Sequence, residues 1–259
     1  MILSELLDEL REGILNDRSV RTAGTADYLW TDARLVRYIN EAQRRFAVQG
    51  LVLRDARTPE VTEVTLVVGQ QDYTLHEAVI AVISAKVSTH TSDMQRVGHA
   101  AFSRSSVTGD MWYDPASLTG LNPGAPLAYS TEETLSDTVA ETWSQAVMRV
   151  YPVPSAAAAG TVIKLQVVRK PIEDLKVSCL SAAPELPVDH HFEMLDWAAY
   201  LALRIVDDDS GNIKRAGDFA ASFNVHVAEA RKLAMQKLFA PLPWGFGRNG
   251  FAWETGHGG

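Results

Sequence analysis

The chain has 259 residues, 46% of them apolar and 22% charged, with 32 acidic against 24 basic side chains and a net charge of −8. That composition suits a soluble globular protein with volume for a real core, and the acidic balance weighs against a free nucleic-acid binder. No run approaches the ~20 apolar residues of a membrane span, and the single cysteine, Cys179, excludes an internal disulfide.

Residues 1–16 predict an amphipathic helix rather than a signal peptide, because Glu5, Asp8 and Glu9 interrupt the apolar pattern and no basic segment precedes it. Leu3, Leu6, Leu7, Leu10 and Ile14 follow three-and-four spacing, with Ser4 as a candidate cap. Residues 17–30 read as a loop. Thr31 is a good N-cap for a second helix, Asp32 suits its first turn, and Leu35, Ile39, Ala42 and Phe46 form its apolar stripe up to Gly50.

From Pro59 the period becomes two. Val61, Val64, Leu66 and Val68 predict a strand, Gly69 to Asp72 a turn, and Tyr73 to Leu75 a resumed strand. Further strands are expected at 79–87, 146–153 and 161–168. Residues 102–130 read as a long loop around Met111, Trp112 and Tyr113. The whole stretch predicts an antiparallel β-domain of five to seven strands.

A third helix is expected from Val188–Asp189 to Asp207. Phe192, Leu195, Ala199, Ala202 and Val206 lie on one face and Met194, Trp197, Leu201 and Ile205 on others, which makes it central. Ser210–Gly211–Asn212 reads as a break. A fourth helix from Ile213 to Leu238 carries the stripe Ile213, Ala216, Ala220, Phe223, Val227, Ala230 and Ala234. The fold class is therefore α+β: a four-helix domain (1–58 and 188–240), an inserted antiparallel β-domain (59–187) and an extended C-terminal tail (241–259). Each helical half is too small to bury its own stripe and needs the other. The tail combines six glycines with four of the chain's 21 aromatics, Trp244, Phe246, Phe251 and Trp253. It is read either as packing back on its own domain or as a docking arm ordered by a partner.

No motif argues for catalysis. The chain has no Walker loop, GxGxxG, GxSxG or HExxH, so it is not read as an enzyme and no cofactor or metal is expected. His190, His191, Glu193 and Asp196 superficially suggest a metal-dependent enzyme, but adjacent histidines diverge on a helix, and an exposed helix start is the plainer reading. Asp207, Asp209 and Asp218 imitate a calcium loop without its glycine or its bidentate glutamate. Cys179 is expected to be a buried, inert thiol. Arg34, Arg37, Arg44 and Arg45 offer a phosphate- or acid-binding face, a solvated or inter-subunit face, or part of a helix-turn-helix; the long connector and the net charge count against the last.

Several stretches, in this order, resemble the tailed-phage head-to-tail adaptor (connector) proteins. They are Trp30 to Leu35 through Asn40 to Arg44, Val64 to Tyr73, Val150 to Pro154, Leu186 to His190, and the helix Leu195 to Asp209 with Asn212 and Ala216. The likeness covers residues 1–240. It implies a structural virion protein at the head-tail junction, assembled in the host cytoplasm. A ring of twelve copies would join the portal protein to a tail or nozzle protein and continue the DNA channel without binding DNA specifically or meeting a membrane. The family's C-terminal segments commonly reach along the portal, which assigns portal binding to Trp244, Phe246, Arg248, Phe251 and Trp253. Met111, Trp112 and Tyr113 are left for tail-side or inter-subunit contact. The tail departs from the family in its glycine and aromatic content. The alternative is a β-sandwich ligand- or glycan-binding module of a phage neck or tail, with Trp112 and Tyr113 as stacking platform.

The negative charge is uneven. Residues 59–187 carry 14 acids against eight bases, whereas residues 1–58 balance at nine and nine. Twelve copies would total about −96, enough to matter to a duplex passing through the lumen.

Overall fold

The computed structural model describes residues 1–17, 29–97, 123–133, 146–204 and 210–238. The architecture is mixed α+β, and the described residues form five α-helices and two sheets. Among the described residues no helix is long and apolar enough to cross a membrane.

The first helix, α1 (Leu3–Asp8), continues as a π-helical turn over Glu9–Leu15 and ends at Asn16 in the left-handed conformation. Leu3, Leu6, Leu7 and Leu10 are buried as expected. The wider π turn then changes the register, so Leu15 is buried and Ile14 only packs against the cluster's edge. Arg11 is buried and donates from Nη2 to Trp30 O at 2.8 Å. Asp17 accepts the backbone N–H groups of Leu29 and Trp30. These contacts tie the first helix to the start of the second.

Helix α2 (Asp32–Gly50) has Thr31 as its N-cap, whose side chain accepts from Arg34 N. Leu35, Ile39, Ala42 and Phe46 are all fully buried. Gly50 is the last helical residue rather than the stop, and the left-handed turn falls on Leu51. The glycine serves close approach instead. A Cβ there would lie 3.3 Å from Val52 Cγ1 and 3.7 Å from Ala230 Cβ on the last helix.

The strands divide between two sheets. In the first, β1 (Arg54–Asp55), β2 (Glu63–Thr65) and β4 (Val79–Val87) all pair antiparallel with β8 (Val162–Arg169). In the second the order is β3 (Asp72–Thr74), β7 (Ala146–Tyr151), β6 (Ala128–Glu133) and β5 (Gln95–Arg96). Ile163, Leu165 and Val167 of β8 alternate inward and meet Tyr73, Met148 and Val150 from the second sheet in one apolar cluster.

Several expectations are corrected here. The described residues form eight strands where five to seven were predicted, and β5 pairs with β6 in parallel rather than antiparallel. Residues 59–62 form a short helix, α3 (Pro59–Thr62), because Pro59 suits its first turn; Val61 is buried all the same. Gly69, at φ 74°, does not close a hairpin. The chain turns there from β2 in one sheet to β3 in the other. The expected loop at 102–130 ends in strand, since Ala128 opens β6.

After β8 the segment 171–187 lies over the helices. Asn40 makes two 2.9 Å hydrogen bonds to the backbone of Leu175, Glu185 N donates to Gln43 Oε1, and Leu175 and Leu186 join the helical cluster. The predicted third helix is shorter than expected. Residues 188–190 form a 3₁₀ turn and α4 spans Leu195–Leu203. Phe192 is therefore off the helix and 54% exposed, whereas Met194 is fully buried. Helix α5 (Ser210–Leu238) begins at the Ser-Gly-Asn sequence that was expected to break the chain. Ile213 is exposed, because the stripe starts in the next turn; Ala216, Phe223, Val227, Ala230 and Ala234 are buried. Phe223 meets Phe46 edge-on at 5.7 Å and Trp197 at 5.1 Å.

Candidate assembly surfaces

The eight residues singled out for contact fall outside the described residues: Trp244, Phe246, Arg248, Phe251 and Trp253 of the tail, and Met111, Trp112 and Tyr113 of the long loop. So do Asp207 and Asp209; Asp218 is exposed on α5.

The histidine pair is structural rather than solvent-facing. His191 is 4% exposed. Its Nε2 lies 2.8 Å from Leu186 O, which can only accept, so the proton sits on Nε2. Its Nδ1 is then free to accept from the Met1 amine at 3.1 Å. Burial lowers the His191 pKa below its ordinary value. His190 points elsewhere, 2.7 Å from Glu193 Oε2, with its ring 4.9 Å from that of Phe46. His226 of α5 sits 3.7 Å from Glu193 and 3.8 Å from Asp196. Burial raises the Asp196 pKa, against a hydrogen bond from Ser222. Among the described residues no three His, Cys, Asp or Glu side chains are arranged to hold a metal. Cys179 is exposed, not buried, because it lies in the segment draped over the helices; its Sγ is 3.9 Å from Ser181 Oγ.

A buried ion network joins the sheets to the draped segment. Arg169, at the end of β8, donates to Asp55 Oδ2 at 2.7 Å and pairs with Glu185. Glu185 in turn accepts the N–H groups of Ile172 and Glu173. Burial pushes the Asp55 pKa up, but hydrogen bonds from Arg57, Thr58 and Arg169 outweigh it and hold the carboxyl well below the usual range. Arg54 reaches from β1 to Ala234 O on α5 at 2.6 Å.

The arginines of α2 separate into different roles. The Arg45 guanidinium lies 3.7 Å over the Trp197 ring and belongs to packing. Arg44 is exposed and paired with Asp174 at 3.0 Å and with Glu41 at 3.5 Å. Arg34 and Arg37 are exposed on the same face. Beside them, between α2 and the C-terminal end of α4, is a cleft of about 460 Å³ lined by Arg37, Tyr38, Arg44, Leu201 and Arg204 among others. Sequence reasoning had singled out the α2 arginines but missed Tyr38 and Arg204. A cation at the C-cap of a helix was the available signal for Arg204.

The chain thus offers a helical core, paired sheets and a charged cleft beside exposed arginines, with no assembled catalytic constellation among its described residues. The family model for the SU10 adaptor protein matches residues 1–242. The predicted portal-binding residues from Trp244 onward lie beyond that match. No curated protein matches the chain. The match spans nearly the whole sequence and agrees with the likeness carried by the ordered stretches from Trp30 to Ala216, so the chain belongs to the SU10 adaptor protein family, a family of phage structural adaptors.

Proposed function

We propose that this protein is a virion neck component: a head-to-tail adaptor that assembles as a ring of twelve copies, binds the portal on one side and a tail or nozzle protein on the other, and continues the DNA channel. The family match over residues 1–242 carries the reading. In it α1, α2, α4 and α5 form the four-helix body and residues 59–187 the inserted β-domain. The separate apolar clusters of helices and strands support that division in outline, although β1 joins the sheet through β8 and Leu175 and Leu186 pack with the helices. The role is structural rather than enzymatic. The acidic excess keeps DNA phosphates from adhering to the lumen. Trp244, Phe246, Arg248, Phe251 and Trp253 serve as a portal-docking arm, and Met111, Trp112 and Tyr113 meet the tail side or a neighbouring copy.

Native mass spectrometry and negative-stain microscopy of the protein with its purified portal test this. The expected result is a ring seated on the portal; a chain that stays monomeric and ignores the portal overturns it. Deleting residues 241–259 is expected to preserve the fold and weaken portal attachment. Unchanged attachment would remove the docking arm from the proposal.

A further inference from the structure

Two helical faces of this chain carry opposite, exposed charge. On α2, Arg34, Arg37 and Arg44 lie at spacings of three and seven, which place them on one exposed face. Arg44 is engaged by Glu41 and Asp174 of its own chain. The guanidinium groups of Arg34 and Arg37 have no partner among the described residues. The cleft beside them adds Arg204, held against Tyr200, and Tyr38. Tyr38 is only 4% exposed, and its buried hydroxyl has no hydrogen-bond partner among the described residues, so it belongs to the floor of the cleft rather than to its open face. Glu41 and Asp174 also line the cleft and already hold Arg44, which leaves the guanidinium groups of Arg34 and Arg37 as the ones that suit a carboxylate from outside.

The same chain holds the complement. Along α1 and the π-helical turn, Glu5, Asp8 and Glu12 are exposed, while the only arginine there, Arg11, is buried. None of the three acids pairs with a basic side chain among the described residues.

We propose that these faces meet between copies: the acidic face of α1 and its π turn in one protomer packs on the arginine face of α2, beside the α2–α4 cleft, in the next. The inference rests on the ring reading and assigns its contact. Different patches on the two partners make a heterologous interface, the kind that closes into a ring when the rotation per copy permits. Exposed charge pairs each add little affinity, but together they set orientation and reject wrong pairings.

Charge reversal on each side, followed by mixing, tests it. Arg34→Glu with Arg37→Glu, and separately Glu5→Lys with Asp8→Lys and Glu12→Lys, are expected to weaken self-association about tenfold or more, read by sedimentation and native mass spectrometry. Circular dichroism should show both variants folded. An equimolar mixture is expected to recover rings of alternating copies, because every contact then pairs an acidic with a basic face. Wild-type rings that survive both reversals overturn this interface and leave the ring reading standing. Reversed variants that fail to assemble alone and also when mixed overturn it too. A wild-type chain that stays monomeric at every concentration overturns both.

Discussion

The helical core and the paired sheets solve the same burial problem with different polar bookkeeping. Around Phe223 the apolar cluster is ringed by side chains that hold irregular backbone. Arg11 takes Trp30 O, Asn40 takes both backbone groups of Leu175, Gln43 takes Glu185 N, and His191 takes Leu186 O. Around Ile163 the backbone groups pair within ladders, and few polar side chains enter; Tyr73 Oη, bonded to Val67 and Gln70, is the main one. Helices satisfy their own backbone, so any segment laid across them must find side-chain partners. Strands satisfy one another and leave their inward faces mostly apolar. The two regions should therefore fail under different substitutions.

The largest effects are expected from truncating either core. Phe223→Ala removes a ring in contact with Phe46 and Trp197 and should cost about 3–5 kcal/mol. Ile163→Ala in β8 should cost about 2–5 kcal/mol. Urea unfolding measures both. Region-resolved hydrogen exchange sharpens the contrast: each substitution should loosen its own cluster most. Equal loosening of both regions by either substitution would erase the distinction.

Asn40→Ala comes next. It leaves the N–H and C=O of Leu175 without their partners and should cost about 1–3 kcal/mol. Acid separates the regions by pH. The folded His191 pKa is lowered, so the unfolded chain binds the extra proton first. Stability from this group is complete above its ordinary 6.5 and declines as pH falls below it. The folded Asp55 pKa is also lowered, so its contribution is complete above the ordinary 3.8 and is lost only as pH falls further. His191→Gln should flatten the stability curve near pH 6, and Asp55→Asn should flatten it below pH 4. Chemical denaturation across pH measures both. A single shared window would contradict the assignment.

Much of the helical body was readable because its stripes obey the helical period. Leu3 to Leu10, Leu35 to Phe46 and Ala216 to Ala234 are buried where the spacing puts them. The exceptions have local causes: a π turn hands burial from Ile14 to Leu15, and a 3₁₀ turn frees Phe192. The sheets were less readable. Strands of two or three residues, such as β1 and β5, show too little alternation to detect, and their existence is decided by β8 and β6. Of the proposed contact, the α2 arginines were visible as charge on a helical face, and Glu5 and Asp8 as acids interrupting the apolar pattern of the first helix. Glu12 and Arg204 were not singled out, because exposed charge on a helix is ordinary until its neighbours show whether it is paired.

The smallest effect tests the sheet half of the contrast. Ser130 on β6 is fully buried, and its Oγ has no hydrogen-bond partner among the described residues. A hydroxyl in that position has lost its water and gained nothing in exchange. Ser130→Ala removes the desolvated group and leaves a void smaller than a methyl group, so stability should hold or rise by less than about 1 kcal/mol. A polar truncation at Asn40 and one at Ser130 thus have opposite expected signs, although both residues are polar and packed away from solvent. The difference is the backbone each one serves: Asn40 completes the bonding of a draped segment, whereas β6 is already completed by β7. Thermal unfolding of Ser130→Ala decides the matter, and a clear loss of stability would mean that the sheet core depends on side-chain polar ties after all.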